Sequence, residues 1–403
     1  MLIRRLKVSG LLSFGPKGID LPMEPLNVLI GPNGSGKSNL LEVLALLRAA
    51  PRNLAEPVRR RGGIWEWLWK GKESPGEATV EAIVYPRSRK GPLRHALTMA
   101  DNGGRLEVTA EEIAYAEDRR PYGARYGIGP IAAADFHWER DYRLSGGRHA
   151  FSIRRPDNAA LESDDSDDAT PEESVLSQIR DPRAYRFLSV LQREYERIRL
   201  YQNWSFGPAA ALRRDQSAHG PSDFLKDGAE NLAVVLSHFR GQAKRQLVEA
   251  LHELFDGIVD VSCPVTGGTV ALFLEERGGR QIPATLLSDG TLRYLSLLAI
   301  LLHPAPPPLI ALEEPELGLH PDVVAATAKL LVQASERTQI VVTTHSRMLV
   351  DALTDHPSSV VVCEKENGES RFERLDGAEL KAWLDKYSLG ELWSSGELGG
   401  NRW

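Results

Sequence analysis

Nine consecutive residues constrain this chain more than any others: Gly31-Pro32-Asn33-Gly34-Ser35-Gly36-Lys37-Ser38-Asn39. An apolar run, 26–30, precedes them, and a leucine-rich stretch, 39–50, follows and is closed by Pro51. That order predicts strand, glycine loop and helix, the context in which G-x-x-x-x-G-K-[ST] is a phosphate site. The glycines let the backbone turn tightly with no Cβ in the way, so that successive N–H groups form an anion-binding nest. The following helix adds the partial positive charge of its N-terminus. Lys37 is placed to reach the outer phosphates, and the Ser38 hydroxyl to hold Mg²⁺.

The rest of the chain is ordinary enough to build a large core around that loop. Its 403 residues are 42% hydrophobic and 26% charged, which predicts two or three lobes. Lysine and arginine number 49 against 55 acidic residues, a net charge of −6. Nothing in that balance draws the whole chain toward nucleic acid, so a DNA contact needs a local patch. Cys263 and Cys363 lie far apart, with no C-x-x-C, which supports neither a disulfide framework nor a zinc site and fits a reducing, cytoplasmic setting. The N-terminus lacks the apolar core of a signal peptide, and the longest apolar run, 292–302, is too short for a membrane span and contains Arg293. No membrane partner is expected.

Residues 2–30 alternate apolar and polar and read as strands leading into the loop; Leu40, Leu41, Leu44 and Leu47 make the next helix core-facing. From 51 to about 175 short alternating runs broken by Gly and Pro predict a β-rich lobe. Within it Trp65, Trp67 and Trp69 alternate along one expected strand, as half-buried core or as a stacking platform for bases. Arg59-Arg60-Arg61, with Arg52, is the densest basic cluster, read as a solvated loop with a phosphate-backbone contact as the alternative. Residues 162–173, with Asp164, Asp165, Asp167 and Asp168, read as a surface loop. Amphipathic patterns at 183–201 and 229–255 predict two helices in a helical lobe, 176–280, and neither sustains the heptads of a long coiled coil. The C-terminal part returns to α/β alternation: strand 309–312, helix 322–335, strand 340–343, helix 347–353, strand 360–363. The expected organisation is one head: a mostly parallel core sheet from 1–50 and 281–380, the two lobes between, and a C-terminal tail, 381–403, holding Trp383, Trp393 and Trp403.

An NTP site needs more than a phosphate cradle. Glu313 and Glu314 end the strand at 309–312, and adjacent carboxylates there point in different directions. Glu313 is assigned to the metal and Glu314 to the attacking water. The next strand ends in Thr344-His345-Ser346, where an imidazole can reach the γ-phosphate. Ser288-Asp289-Gly290-Thr291 opens a helix and forms a second anion-binding turn, which makes sense if each nucleotide is gripped by the glycine loop of one subunit and the Ser288 turn of another.

Taken together these pieces resemble the ATP-binding-cassette ATPases, and within them the RecF, SMC and OLD-like heads, also grouped as RecF-like AAA-type ATPases. The resemblance runs from Ile3-Arg4-Arg5-Leu6-Lys7-Val8 and Leu12-Ser13-Phe14-Gly15 through Walker A (Gly31 to Ser38), the signature (Leu287 to Thr291), Walker B with its D-loop (Leu309 to Pro321) and the switch residue His345; residues 51–280 match only loosely. It implies an α/β P-loop NTPase of ABC/RecF-like head type without a long coiled coil. It implies ATP and Mg²⁺ as ligands, a homodimer formed on Mg·ATP, and hydrolysis supported by Glu314, Lys37, His345 and a Q-loop glutamine. Gln178 is taken for that glutamine from its order in the chain, as a sensor of Mg²⁺ and γ-phosphate. It further implies DNA-linked work, in repair or defence, with a separate effector, because the 58 residues after His345 are too few for a nuclease domain (403 − 345 = 58). The energy subunit of a membrane transporter, or a nucleotide-gated scaffold with little hydrolysis, are the alternatives. Two departures stand out. Asp289 replaces a glycine of the usual signature and brings negative charge toward a phosphate, and Glu313 replaces the usual Walker B aspartate.

Overall fold

The computed structural model describes residues 1–71, 74–87, 91–116, 137–141, 143–145, 148–153, 162–164, 170–178, 180, 182 and 186–399. Of the residues named above, Asp165, Asp167, Asp168 and Trp403 lie outside them.

The core sheet has six strands in the order Arg199–Tyr201, Leu309–Glu313, Gln339–Thr343, Leu26–Ile30, Val360–Glu366, Glu369–Arg374. The first five run parallel and the last turns back antiparallel. Parallel strands buried on both faces need apolar residues at every position, and their period of two sends alternate side chains to opposite cores. Val28 and Ile30, Ile310 and Leu312, Ile340 and Val342, and Val360 and Val362 pack on one side with the helices Leu232–Ser237, Asp289–Leu301 and Pro321–Ser335. Leu29, Leu309, Ala311, Val341, Val361 and Cys363 pack on the other with the helices Lys37–Ala49 and Arg186–Glu196. That second core also holds a six-stranded sheet in the order Ile19–Pro22, Ile3–Ser9, Glu77–Val84, Leu93–Asn102, Arg105–Tyr115 and His137–Asp141.

Register places the site. Leu312 stands beside Val342 and Val342 beside Val28, while Tyr201 stands beside Leu312. The carboxyl ends of four parallel strands therefore fall on one edge, which is where ligands bind in open α/β sheets.

Three expectations are corrected. Residues 64–67 form a short helix, Ile64–Trp67, and not a strand, because Gly62 and Gly63 both take positive φ (97°) and turn the chain into it. Trp67 is consequently buried while Trp65 is 63% exposed, so the tryptophans make no common stacking face. The helix expected over 183–201 ends at Glu196, and Arg199–Tyr201 becomes the edge strand of the core sheet. The helix expected over 229–255 divides into Leu232–Ser237 and Gly241–Leu254 at Arg240, which is extended, and Gly241, at φ +55°. Residues 176–280 also carry small antiparallel sheets, among them Ile258–Ser262 paired with Phe273–Glu276. No helix among the described residues is long and apolar enough to cross a membrane, and the longest, Pro321–Ser335, has 15 residues, far short of a coiled-coil arm.

Candidate nucleotide site

The glycine loop turns from Ile30 into the helix Lys37–Ala49 at two positions where only glycine fits. Gly31 (φ +142°) packs against the Cys363 carbonyl, and Gly36 (φ +102°) against the hydroxyls of Ser370 and Ser13, so a Cβ at either would overlap them. Those hydroxyls form a small network: Ser370 Oγ donates to Ser13 Oγ (2.6 Å), as does Asn39 Nδ2 (2.7 Å). Lys37 Nζ folds back onto the loop, donating to the carbonyls of Gly31 (2.7 Å) and Pro32 (3.0 Å). Burial pushes its ammonium pKa down, against the pull of Cys363, Glu314 and Glu313. Asn33 and Gly34 form the exposed rim beside the half-buried Pro32, and Ser35 Oγ is buried without a partner. A buried hydroxyl beside a lysine satisfied only by its own loop fits a phosphate cradle.

Ser38 Oγ donates to Glu313 Oε1. A hydroxyl and a carboxylate brought together by separate elements are hard oxygen donors of the kind that hold Mg²⁺ with water, so these residues fit the metal. Glu314 adopts φ +43°, uncommon for a residue with a side chain. Its N–H donates to the Thr343 carbonyl (3.0 Å), which locks the turn to the next strand and aims the side chain toward His345, whose Nε2 lies 3.7 Å from Glu314 Oε1. Burial, then Lys37, lower the pKa of the half-exposed His345 imidazole, against the pull of Glu314. The loop Gly31 to Asn39, Glu313, Glu314 and His345 are thus gathered at one sheet edge.

Ser288 caps the helix Asp289–Leu301, its hydroxyl oxygen accepting from the Thr291 N–H (3.0 Å). Gly290 packs against the Gly318 carbonyl, where a Cβ would stand 3.2 Å away. Among the described residues no hydrogen bond ties this turn to 31–39. Gln178 is not gathered at the edge either: it ends the short helix Val175–Gln178, and its amide donates to the carbonyls of Thr170 and Glu173 (both 3.3 Å). The glutamine at a parallel-strand end is Gln202, directly after Tyr201, its N–H held by Asp227 Oδ1 (2.7 Å).

Sequence reasoning also passed over Trp204, Glu316 and Arg293. Trp204 Nε1 donates to the Glu313 carbonyl (2.9 Å), joining the segment after Gln202 to Walker B. Glu316, nine-tenths buried, accepts from Thr344 Oγ1 and from the His345 N–H (3.3 Å), and burial raises its pKa. Arg293 reaches from the Ser288 helix to the Leu317 carbonyl and lies over the rings of Trp204 and Phe206 (5.2 Å to each). The basic cluster, by contrast, is already neutralised: Arg52 pairs with Glu196 (2.9 Å), Arg59 with Glu172 (2.6 Å), Arg60 with Glu56 and Arg61 with Glu42 (3.8 Å).

Among the solved structures similar in fold are two at 15% identity. The SmcHead bound to the C-winged helix domain of ScpA matches with a TM-score of 0.53 over 94% of this chain and 99% of that one. The Smc head domain with an extended coiled coil bound to the C-terminal domain of ScpA, derived from Pyrococcus furiosus, gives 0.53 over 95% and 98%. No curated protein matches the sequence. Residues 26–351 match the family described as "AAA domain, putative AbiEii toxin, Type IV TA system". With Walker A and Walker B at the carboxyl ends of two strands that flank the His345 strand, the chain belongs to that AAA family and has an SMC head-like P-loop ATPase fold.

Proposed function

We propose that the chain binds and hydrolyses Mg·ATP and that two copies close over two nucleotides. The observation that carries this reading is the sheet edge, where one register sets Gly31, Glu313 with Glu314, and the end of the His345 strand side by side. Lys37 exchanges its loop carbonyls for the outer phosphates. Ser38 and Glu313 hold Mg²⁺, which when bound neutralises charge on the phosphate oxygens. Glu314 takes the proton of the attacking water and His345 donates toward the γ-phosphate, the first positioned by the bond from its N–H to Thr343 and the second by the bond from its N–H to Glu316. Gln202, in place of Gln178, senses the metal and the γ-phosphate. The Ser288 turn, not hydrogen-bonded to its own glycine loop among the described residues, serves the nucleotide of the second copy, and the exposed Leu286, Leu317 and Met348 flank the turns that meet there.

The output goes to a separate effector protein in this reading. The paired arginines at 52 and 59–61 leave little free charge for a DNA backbone, whereas the SMC heads cited above are themselves seen bound to a partner domain. ATP turnover, together with mass in Mg·ATP, tests the core claim for wild type and Glu314→Gln. Turnover by the wild type and an inactive, ATP-trapped dimer of the variant support it; no turnover and no dimer overturn it. A gel shift at low salt tests DNA, and ATP-dependent retardation would move the output back to nucleic acid.

A further inference from the structure

Asp289 sits where a phosphate-gripping turn should carry no negative charge, and the structure shows what answers it. Arg213, whose side chain is only 9% exposed, lies against the turn from a different part of the chain. Its Nε donates to the Phe206 carbonyl (3.1 Å), and its Nη1 to the carbonyls of Ala284 (3.1 Å) and Leu287 (2.7 Å). Its Nη2 donates to Asp289 Oδ1. Arginine suits this place because its planar fork keeps its charge while satisfying several acceptors at once. The guanidinium thus holds the strand-to-helix connection on both sides of Ser288 and draws the Asp289 carboxylate toward Arg213.

We propose that Arg213 is a positioning residue for nucleotide-driven dimerisation: it supplies the internal counter-charge that lets a signature turn containing Asp289 accept the partner copy's phosphates. This rests on the reading that the Ser288 turn serves the nucleotide of a second copy. Without Arg213, Asp289 is an unpaired anion beside Ser288 and Gly290, and like charges at that range oppose approach strongly in a partly desolvated interface. With both charges removed the turn is neutral, as a glycine would leave it. The pair therefore makes a prediction that simple structural support does not: the second substitution cures the first.

The test uses the full-length chain with Glu314→Gln as the parent, and reads the Mg·ATP concentration giving half-maximal dimer. Arg213→Gln raises that concentration at least about tenfold. Asp289→Asn alone stays within about threefold of the parent, and Arg213→Gln with Asp289→Asn returns to within about threefold. Arg213→Lys, which keeps the charge and loses the fork, also stays within about threefold and covers the case in which Arg213→Gln does not fold. A double variant as weak as Arg213→Gln, an Arg213→Gln indistinguishable from the parent, or an Arg213→Lys as weak as Arg213→Gln overturns the inference alone. A parent that remains monomeric in Mg·ATP overturns the dimer reading and the inference with it.

Discussion

Ser38 and Glu313 meet across the sheet edge: the hydroxyl at the start of the first helix donates to the carboxylate that ends a strand two places away in strand order. Neither oxygen needs the other for folding, since both are open to solvent. A divalent cation gains from their convergence. Glu313→Ala should therefore lower turnover about 100-fold while ATP binding in EDTA is unchanged. Calorimetry with and without Mg²⁺ separates the two effects, and a variant with wild-type Mg²⁺ dependence would remove Glu313 from the metal.

Glu314 joins function to local strain. At φ +43° its Cβ crowds the backbone, and the N–H bond to Thr343 keeps it there. Glu314→Gln should reduce turnover by about 10²–10⁴ with nucleotide binding intact. Between two inactive variants, Glu314→Gly should be more stable than Glu314→Ala by about 1 kcal/mol, since glycine accepts this conformation freely. Urea unfolding of the two decides it, and an Ala variant as stable as the Gly variant would argue against strain at this turn.

Gln202 and Gln178 are distinguished by place. Gln202 follows a strand aligned with Walker B, whereas the Gln178 amide serves the carbonyls of its own turn. Gln202→Ala should lower turnover about tenfold or more, and Gln178→Ala less than about twofold. Equal losses in the two would mean that strand register is a poor guide here.

What the sequence makes legible follows the strength of its local signals. The glycine loop, the twin glutamates and His345 are each bracketed by apolar runs that can only be buried parallel strands, so the fold and the edge of the site could be read directly. Arg199–Tyr201 could not. Three residues are too few to show a period of two, and Tyr195 and Ile198 extend the preceding helical stripe across them. Losing that strand meant losing Gln202. Arg213 and Glu316 were illegible for another reason: their importance lies in partners 76 and 28 residues away, and no spacing rule connects them. The three tryptophans at 65, 67 and 69 misled because alternation over five residues cannot tell a strand from a turn of helix framed by glycines.

His345 carries a pH signature. Its pKa is lowered from the ordinary 6.5, first by burial and then by Lys37, so the imidazole is neutral at pH 7. The unfolded chain takes up a proton at 6.5 while the folded one does not, so folding loses stability as pH falls below 6.5, until the folded value is reached. His345→Gln should lack this component, and its stability relative to wild type should rise between pH 7.5 and 5.5, modestly because the ring is half-exposed. Unfolding midpoints at the two pH values test the sign, and a wild type that gains stability relative to the variant on acidification refutes it.

The second sheet is tied to the helical side of the core by a buried polar cluster that chemistry does not use. Glu111 Oε1 accepts from Ser174 Oγ (2.5 Å) and bonds His95 Nε2 (3.0 Å), Glu111 Oε2 accepts from the Val175 N–H (2.7 Å), and His95 Nδ1 meets the Tyr195 hydroxyl (3.1 Å). Burial alone would raise the Glu111 pKa, but the bonds from His95, Ser174 and Val175 outweigh it and hold the carboxyl below its ordinary 4.5. Its stabilisation is thus present above pH 4.5 and lost as pH falls through the folded value. Glu111→Ala leaves three buried polar groups, of Ser174, His95 and Val175, facing a void and should cost about 3–5 kcal/mol. Glu111→Gln, which keeps the shape, should cost less. Chemical unfolding of both variants provides the check. A loss under about 1 kcal/mol for the alanine variant would mean that water enters the cluster and that the sheet is held to the core by its apolar face alone.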